Sequence, residues 1–245
     1  MRTREVAAIA GAMLLAWTTA HAGLVGHWPL DDSGLEAEDI TGNGHTGTLQ
    51  GGVEWVSGQF GGAALFDGTG QIQVASTPML EVEELTGTMW ISFFDVDPPR
   101  QDFFSKNDRF ALSLHEAGND FKVYPIVKVG ADWFVAPGNV VIEPDVWHHV
   151  AMVYDGDGST TYLDGVLDAE TPGGGTLDWV GGLLTFGTFE ARYLKGSMDE
   201  IKYYDTALTE GEVIEDMNAG LAVEAEHKAT MTWASLKALG RGTHC

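Results

Sequence analysis

The chain has 245 residues, of which 36 are Asp or Glu and only 13 are Lys or Arg, giving a formal net charge of −23 at pH 7. A field of that sign repels nucleic acid and anionic membranes, so neither is expected as a partner. The single cysteine, Cys245, is the last residue, which excludes a disulfide-stapled fold and a lipid anchor next to a leader and leaves a fold held by its core.

Residues 1–22 read as an export signal. Arg2 and Arg4 precede an apolar run from Val6 to Trp17, and Ala20-His21-Ala22 forms a small-residue cleavage site. The mature chain is expected to begin near Gly23. No other run is apolar for long enough to span a bilayer, so the expected product is soluble and either secreted or periplasmic.

From Gly23 to Tyr204 short apolar runs alternate with Gly, Asp, Asn and Pro clusters, and helical periodicity is nearly absent. Twelve strands are predicted: Leu24–Leu30, Ala63–Phe66, Gln71–Val74, Gly87–Phe94, Asp102–Ser105, Phe110–His115, Phe121–Val127, Trp133–Ala136, Trp147–Tyr154, Thr160–Leu163, Leu183–Phe186 and Gly196–Tyr204. That spacing predicts an all-β fold, an antiparallel sandwich of the jelly-roll type over residues 23–220.

Within it, Trp147–Gly165 carries two adjacent histidines and three aspartates. Period-two geometry sends His148 and His149 to opposite faces of one strand, so the pair cannot chelate one ion. Asp155-Gly-Asp-Gly-Ser159 reads as a turn, and Asp164-Gly165 as a type I′ hairpin turn, making the stretch two successive hairpins. One short helix follows the last strand. Thr209 and Glu212 form a capping box, Leu208 and Val213 a hydrophobic staple, and Val213, Ile214 and Met217 an apolar stripe that ends at Gly220. Residues 221–245, with Lys228, Lys237 and Arg241, read as a flexible tail.

Four segments in order, Gly23–Asp32 (GLVGHWPLDD), Asp39–Leu49 (DITGNGHTGTL), Trp147–Gly165 and Gly196–Leu208 (GSMDEIKYYDTAL), together with Phe60–Val74, resemble the laminin-G-like jelly-roll family of the concanavalin A-like lectin/glucanase superfamily. The resemblance implies two curved antiparallel sheets with first and last strands side by side. It does not fix a ligand, because that superfamily includes lectins, carbohydrate-binding modules, glycosidases and adhesive spacers.

Three chemistries follow. Asp39-Ile-Thr-Gly-Asn-Gly-His45 offers a carboxylate and accessible carbonyls to a hard cation, and it also reads as an ordinary turn capped by Asp39. The resemblance implies a structural calcium ion there, with carboxylates from Asp39 and Asp199 and carbonyls from Gly42, Asn43, His45 or Glu200. Glycoside hydrolysis needs two converging carboxyls, and the Glu-x-Asp-x-x-Glu string of the glucanase branch is absent. Glu81-Val-Glu83-Glu84 is predicted in a loop and Asp199-Glu200 on opposite faces, so only cross-strand pairs would serve. Sugar recognition without turnover needs exposed aromatic rings near acidic loops. Trp55, Trp133, Phe134, Trp179 and Tyr193 lie in or beside predicted loops, with Trp133, Trp179 and Tyr193 as the candidates for ligand contact. Trp133 and Phe134 alternate faces, and the sequence does not say which is exposed.

The expectation is therefore an exported, monomeric, non-catalytic module that binds carbohydrate or mediates adhesion, calcium-stabilised, with a glycan or an extracellular protein as partner. A protein-interaction domain without sugar affinity is the alternative, and a glycoside hydrolase the third reading.

Overall fold

The computed structural model describes residues 23–94, 99–106, 108–118, 120–179 and 181–220. The predicted leader and the predicted tail lie outside these residues. Sixteen strands run in chain order: β1 (Leu24–Trp28), β2 (Glu36–Ala37), β3 (Gly47–Gln50), β4 (Val53–Ser57), β5 (Gly62–Asp67), β6 (Gln71–Val74), β7 (Leu85–Phe93), β8 (Arg100–Lys106), β9 (Phe110–Ala117), β10 (Asp120–Val129), β11 (Asp132–Val135), β12 (His148–Tyr154), β13 (Gly158–Leu163), β14 (Val166–Pro172), β15 (Leu184–Phe186) and β16 (Lys195–Tyr204). They form two antiparallel sheets. The first has the order β14-β13-β12-β7-β16-β5-β4, with β1 also on β16, and the second has the order β11-β10-β9-β8-β15-β6-β3-β2. The first strand thus lies against the last, from Leu24 opposite Tyr204 to Trp28 opposite Ile201.

Alternation along the strands supplies the core. Val150, Met152 and Tyr154 of β12 and Met198, Ile201 and Tyr203 of β16 meet Phe104, Leu112 and Phe186 of the second sheet in one buried cluster. Burial of such side chains contributes roughly 1.5–3 kcal/mol each. Packing is close enough that a Cβ on Gly87, in the middle of β7, would lie 2.4 Å from a ring carbon of Phe104.

The two-hairpin reading of Trp147–Gly165 holds. β12 pairs with β13 and β13 with β14. Asp164 and Gly165 both take positive φ, 51° and 77°, as the predicted turn requires. The histidines do point opposite ways: His148 reaches Asp164 at the turn, 2.8 Å away, whereas His149 is buried on the outer face of the first sheet.

That outer face is covered by the helix, whose described part is 210–220. The capping box forms: the Thr209 N–H donates to Glu212 Oε2 (2.8 Å) and the Glu212 N–H to Thr209 Oγ1 (3.4 Å). Leu208 and Val213 pack together on Ala151, Val153 and Tyr204. The predicted apolar stripe needs correction, because Ile214 is 38% exposed and the residue turned inward is Asp216. Its carboxylate accepts from Lys202 Nζ (2.8 Å) and the Tyr204 hydroxyl (2.6 Å), and its second oxygen lies 3.6 Å from His149 Nε2. Burial alone would raise the Asp216 carboxyl. The hydrogen bonds from His149, Lys202 and Tyr204 and the Lys202 charge outweigh it and hold the group below the usual carboxylate range.

Lys202 reaches this position through a bulge. Between Asp199 and Lys202 the register of β16 on β7 shifts, and Glu200 takes a left-handed φ of 50°. The bulge lies where β16 changes partner from β5 to β1. Glu200 then faces His27 of β1, with Oε2 2.7 Å from the ring nitrogen.

Candidate functional site

Gln73 of β6, Thr185 of β15, Ser105 of β8, Ala111 of β9, Ile126 of β10 and Val135 of β11 stand opposite one another in register, one continuous row across six strands. Their neighbours along the strands, among them Ile72, Phe186, Phe104, Leu112 and Val127, belong to the core, so this row faces away from it. At one end the face carries a groove of about 570 Å³ lined by Gln71, Gln73, Ser105, Asp108, Thr185 and Tyr193.

The segment 188–193 forms its wall. Glu190 and Ala191 both take left-handed φ angles, 51° and 62°, a conformation that non-glycine residues keep only where the surroundings impose it. The constraint comes from below. Asp102, fully buried in the bulge of β8, accepts from Arg192 Nε (2.6 Å), from Arg100 Nε and Nη2 (3.1 Å each) and from the Ser113 hydroxyl. Its own N–H donates to the Arg192 carbonyl (3.0 Å), Arg192 Nη1 reaches Glu190 (2.9 Å), and the guanidinium covers Phe189 at 5.3 Å. Tyr193 therefore sits next to a residue fixed by contacts to two carboxylates, Asp102 and Glu190. His115 stacks on Tyr124 beside this cluster, with centroids 4.1 Å apart. Burial, then the nearby Arg100 and Arg192 charges, push its pKa down to about 4, so the ring is neutral over the physiological range.

Of the aromatic candidates, Tyr193 lines the groove and Trp133 stands on the same outer face. Trp133 is 44% exposed, is paired with Lys128 of β10 and has Lys128 Nζ 4.8 Å above its ring centroid. Phe134 points the other way, toward the backbone at Gly173. Trp179 does not serve as an exposed platform. Its ring packs against the core, its Nε1 donates to the Val82 carbonyl (2.9 Å), and the buried Lys106 ammonium lies 5.3 Å from its centroid. Trp55 is likewise half-buried and donates to Gly34.

Most side chains of the residues expected to hold calcium have partners within the protein, Asp199 Oδ1 excepted. Asp39 accepts from the N–H groups of His27 (3.2 Å), Thr41 (3.0 Å) and His45 (3.0 Å) and from the Thr41 hydroxyl (2.7 Å). Burial works to raise its carboxyl, but these hydrogen bonds bring it below the ordinary value. The Asn43 amide donates to the Val25 carbonyl, the His45 ring spans Val25 and Thr77, and the His45 carbonyl accepts from Trp28 Nε1 (2.7 Å). Gly42 and Gly44 supply the positive φ angles of this closed loop. Asp199 is engaged elsewhere, accepting from the Phe60 N–H (2.8 Å), and Glu200 is paired with His27.

Calcium needs six to eight oxygens with lone pairs turned toward it, whereas here donor hydrogens meet the Asp39 oxygens. Among the described residues no group of three or more His, Cys, Asp or Glu is placed to hold a metal ion. The set does not fit a single calcium centre. Thermal unfolding is accordingly expected at the same temperature in calcium and in chelator, and a rise with calcium that Asp199→Ala removes would reverse this assignment.

For hydrolysis, Glu81 accepts from Ser76 and ends a short 3-10 turn, which gives it a structural task. Asp108 and Glu190, the carboxylates of the groove, are each bound to a cation, Lys128 and Arg192. A groove of amides, hydroxyls and ion-paired carboxylates, with Leu183, Phe189 and Tyr193 beside them, can accept and donate to hydroxyl groups without bond cleavage.

Two antiparallel sheets around one core, with a helix on one outer face and a groove on the other, define a jelly-roll β-sandwich. The chain belongs to the concanavalin A-like lectin/glucanases superfamily, whose laminin-G-like family matches residues 66–214. Comparison with curated proteins finds no match. Among solved structures, domain 4 of AbnA, a GH43 extracellular arabinanase from Geobacillus stearothermophilus in complex with arabinotriose, is 22% identical, with 80% of this chain and 98% of that domain covered and a TM-score of 0.65. The binding domain of Paraclostridial Mosquitocidal Protein 1 is 16% identical, with 80% of this chain and 52% of that one covered and a TM-score of 0.64. Trypanosoma rangeli sialidase is 14% identical, with 78% and 32% covered and a TM-score of 0.61. The chain thus spans about half of the toxin fragment and a third of the sialidase. Among the described residues no helix is long and apolar enough to cross a membrane.

Proposed function

We propose that this chain is a carbohydrate-binding module that holds glycan, without cleaving it, in the groove beside Tyr193 on the outer face of the second sheet. The observation that carries this reading is the groove itself: short hydroxyl and amide side chains on rigid strands, the aromatic rings of Phe189 and Tyr193 in its lining, and a wall fixed by the buried Asp102. Sugars are recognised by that combination of C–H stacking and hydroxyl hydrogen bonding. Membership of a lectin and glucanase superfamily and likeness to a domain crystallised with arabinotriose support it. The ion pairing of Asp108 and Glu190 supports binding over turnover, since neither is a free acid or base.

The test is titration of the protein against a panel of neutral and charged oligosaccharides, with release of reducing ends followed in parallel. Tyr193→Ala should weaken binding about 5- to 10-fold, the range expected for loss of one stacking ring, with no sugar released by either protein. Silence of the whole panel would transfer the function to protein contact, and released sugar would make the chain a hydrolase.

A further inference from the structure

We propose that the second sheet carries a further binding site, separate from the groove, in which Lys122 and Arg100 hold the carboxylate of an acidic sugar of the uronic-acid kind and Tyr124 supplies the floor beneath its ring. The ligand class rests on the reading that the chain binds glycan; the place of the site does not. Positive charge is concentrated here. From Gly23 to Pro99 the sequence has no Lys or Arg, whereas residues 100–128 hold five. Arg100 of β8, His115 of β9 and Lys122 of β10 stand directly opposite one another. Phe121 and Val123, the neighbours of Lys122, belong to the core, so Lys122 and Tyr124 both point outward. Arg100 and Lys122 are two strand spacings apart, roughly 10 Å between backbones. The stacked rings of His115 and Tyr124, with centroids 4.1 Å apart, lie between and beside them. Arg192, reaching from the 188–193 wall to Asp102, closes the β8 side. This end of the sheet is open, with the side chains of Arg100 and Arg192 31% and 26% exposed and His115, Lys122 and Tyr124 half-buried.

The charges leave a cation over. Lys122 has no ion-pair partner among the described residues. Asp102 accepts from Arg100 Nε and Nη2 and from Arg192 Nε, so one carboxylate serves two guanidiniums. Glu190, which meets Arg192, is 57% exposed at its side chain, and Asp120, on the same side of β10 as Lys122, is exposed as well. Water screens both. The pKa of His115 is lowered by burial and then by the Arg100 and Arg192 charges, which marks the potential at its ring as positive. The overall charge of −23 slows the approach of an anion, but it is screened beyond roughly 8 Å at physiological ionic strength and does not cancel contacts made at this row. A carboxylate has two oxygens, one for the ammonium and one for a guanidinium N–H, and charge-assisted hydrogen bonds of that kind are the strong ones. The adjoining aromatic floor suits the C–H face of the ring that bears it.

The test is calorimetric titration of the intact protein with two acidic oligosaccharides, hexagalacturonate and hexamannuronate, and with their neutral counterparts galactohexaose and mannohexaose. At least one acidic hexamer is expected to bind about 10-fold or more tighter than its counterpart. Lys122→Gln should remove about 5- to 10-fold of that preference and Lys122→Arg should keep most of it. Both variants should melt with the parent, since the Lys122 ammonium holds nothing in the fold. The imidazole signals of His115, followed by NMR, should move with the acidic hexamer and not with the neutral one. Tyr193→Ala should leave the acidic preference unchanged, because the groove lies on the other side of the wall. Equal affinity for the two members of both pairs, or an acidic preference that survives in Lys122→Gln, would overturn the acidic site and leave the groove reading standing. Failure of every sugar to bind the parent would overturn the glycan reading and this ligand class together.

Discussion

Asp216→Ala is expected to cost about 3–5 kcal/mol of folding stability, measured by denaturant titration of variant and parent. The carboxylate is 3% exposed and is the anionic centre on which Lys202, Tyr204 and His149 converge. Removing it leaves a buried ammonium whose remaining acidic neighbour, Glu200, lies 3.9 Å away and already serves His27. Among the described residues of the helix, Val213 is the buried apolar side chain, Ile214 and Met217 lie beside Gly165, and the Asp216 network is the buried polar anchor. The wild-type contribution has a pH signature. The folded pKa lies below the unfolded one, so stability from this group is present above about pH 4 and is lost as the pH falls below that value. A double replacement, Lys202→Met with Asp216→Leu, should recover most of the loss, because a buried pair exchanged for apolar volume is often neutral. A loss below about 1 kcal/mol for Asp216→Ala would mean that the network is solvated and the helix held by other means.

Asp199 is expected to show the opposite dependence. It is fully buried on the outer face of the first sheet, its Oδ2 accepts one N–H from Phe60, and its Oδ1 has no hydrogen-bond partner. Burial raises its pKa to about 8, opposed by the Phe60 hydrogen bond and assisted by the charges of Glu200 and Asp31. The folded protein thus keeps the proton up to about pH 8, whereas the unfolded chain releases it near pH 4. Between those limits the unfolded state binds fewer protons, so this group's contribution is complete below pH 4 and declines until about pH 8. The span corresponds to a change on the order of several kcal/mol. Asp199→Asn should remove that slope: in metal-free buffer the parent loses stability relative to the variant as the pH is raised from 4.5 to 8. Parallel curves would show that Asp199 is ionised in the folded state.

The strands richest in β-branched and aromatic residues were legible as a sequence. Gln71–Val74 is found with its predicted bounds, and the others differ by one or two residues at an end. The strands absent from the prediction are β2, β3, β4 and β14. β2 has two residues, Gly47 opens β3, Gly51 and Gly52 separate β3 from β4, and β14 contains Asp168 and Glu170, all of which have low strand propensity. Period-two alternation also assumes that one face of a sheet meets water. It therefore missed the burial of Asp199 and Asp102, which lie under a second layer formed by the segment around Phe60 and by the 188–193 wall, as helical periodicity missed the inward turn of Asp216. Nothing in Glu190-Ala191 announces a left-handed turn, since the constraint is an aspartate some ninety residues earlier in the chain. The aromatic candidates illustrate the same limit. Tyr193 and Trp133 were visible as residue types beside loops, but only the sheet register distinguishes them from Trp179, which turns inward.

The pairing of β1 with β16 brings the Gly23 carbonyl to 2.8 Å from the Asp205 N–H, so the sandwich begins where its last strand finishes. A unit with adjacent ends occupies almost no length along a polypeptide. It can be grafted into a surface loop of another protein, or hung between two others, without pushing its flanking segments apart. The outer face of the second sheet belongs to the sheet that contains neither β1 nor β16, so such grafting would leave it clear.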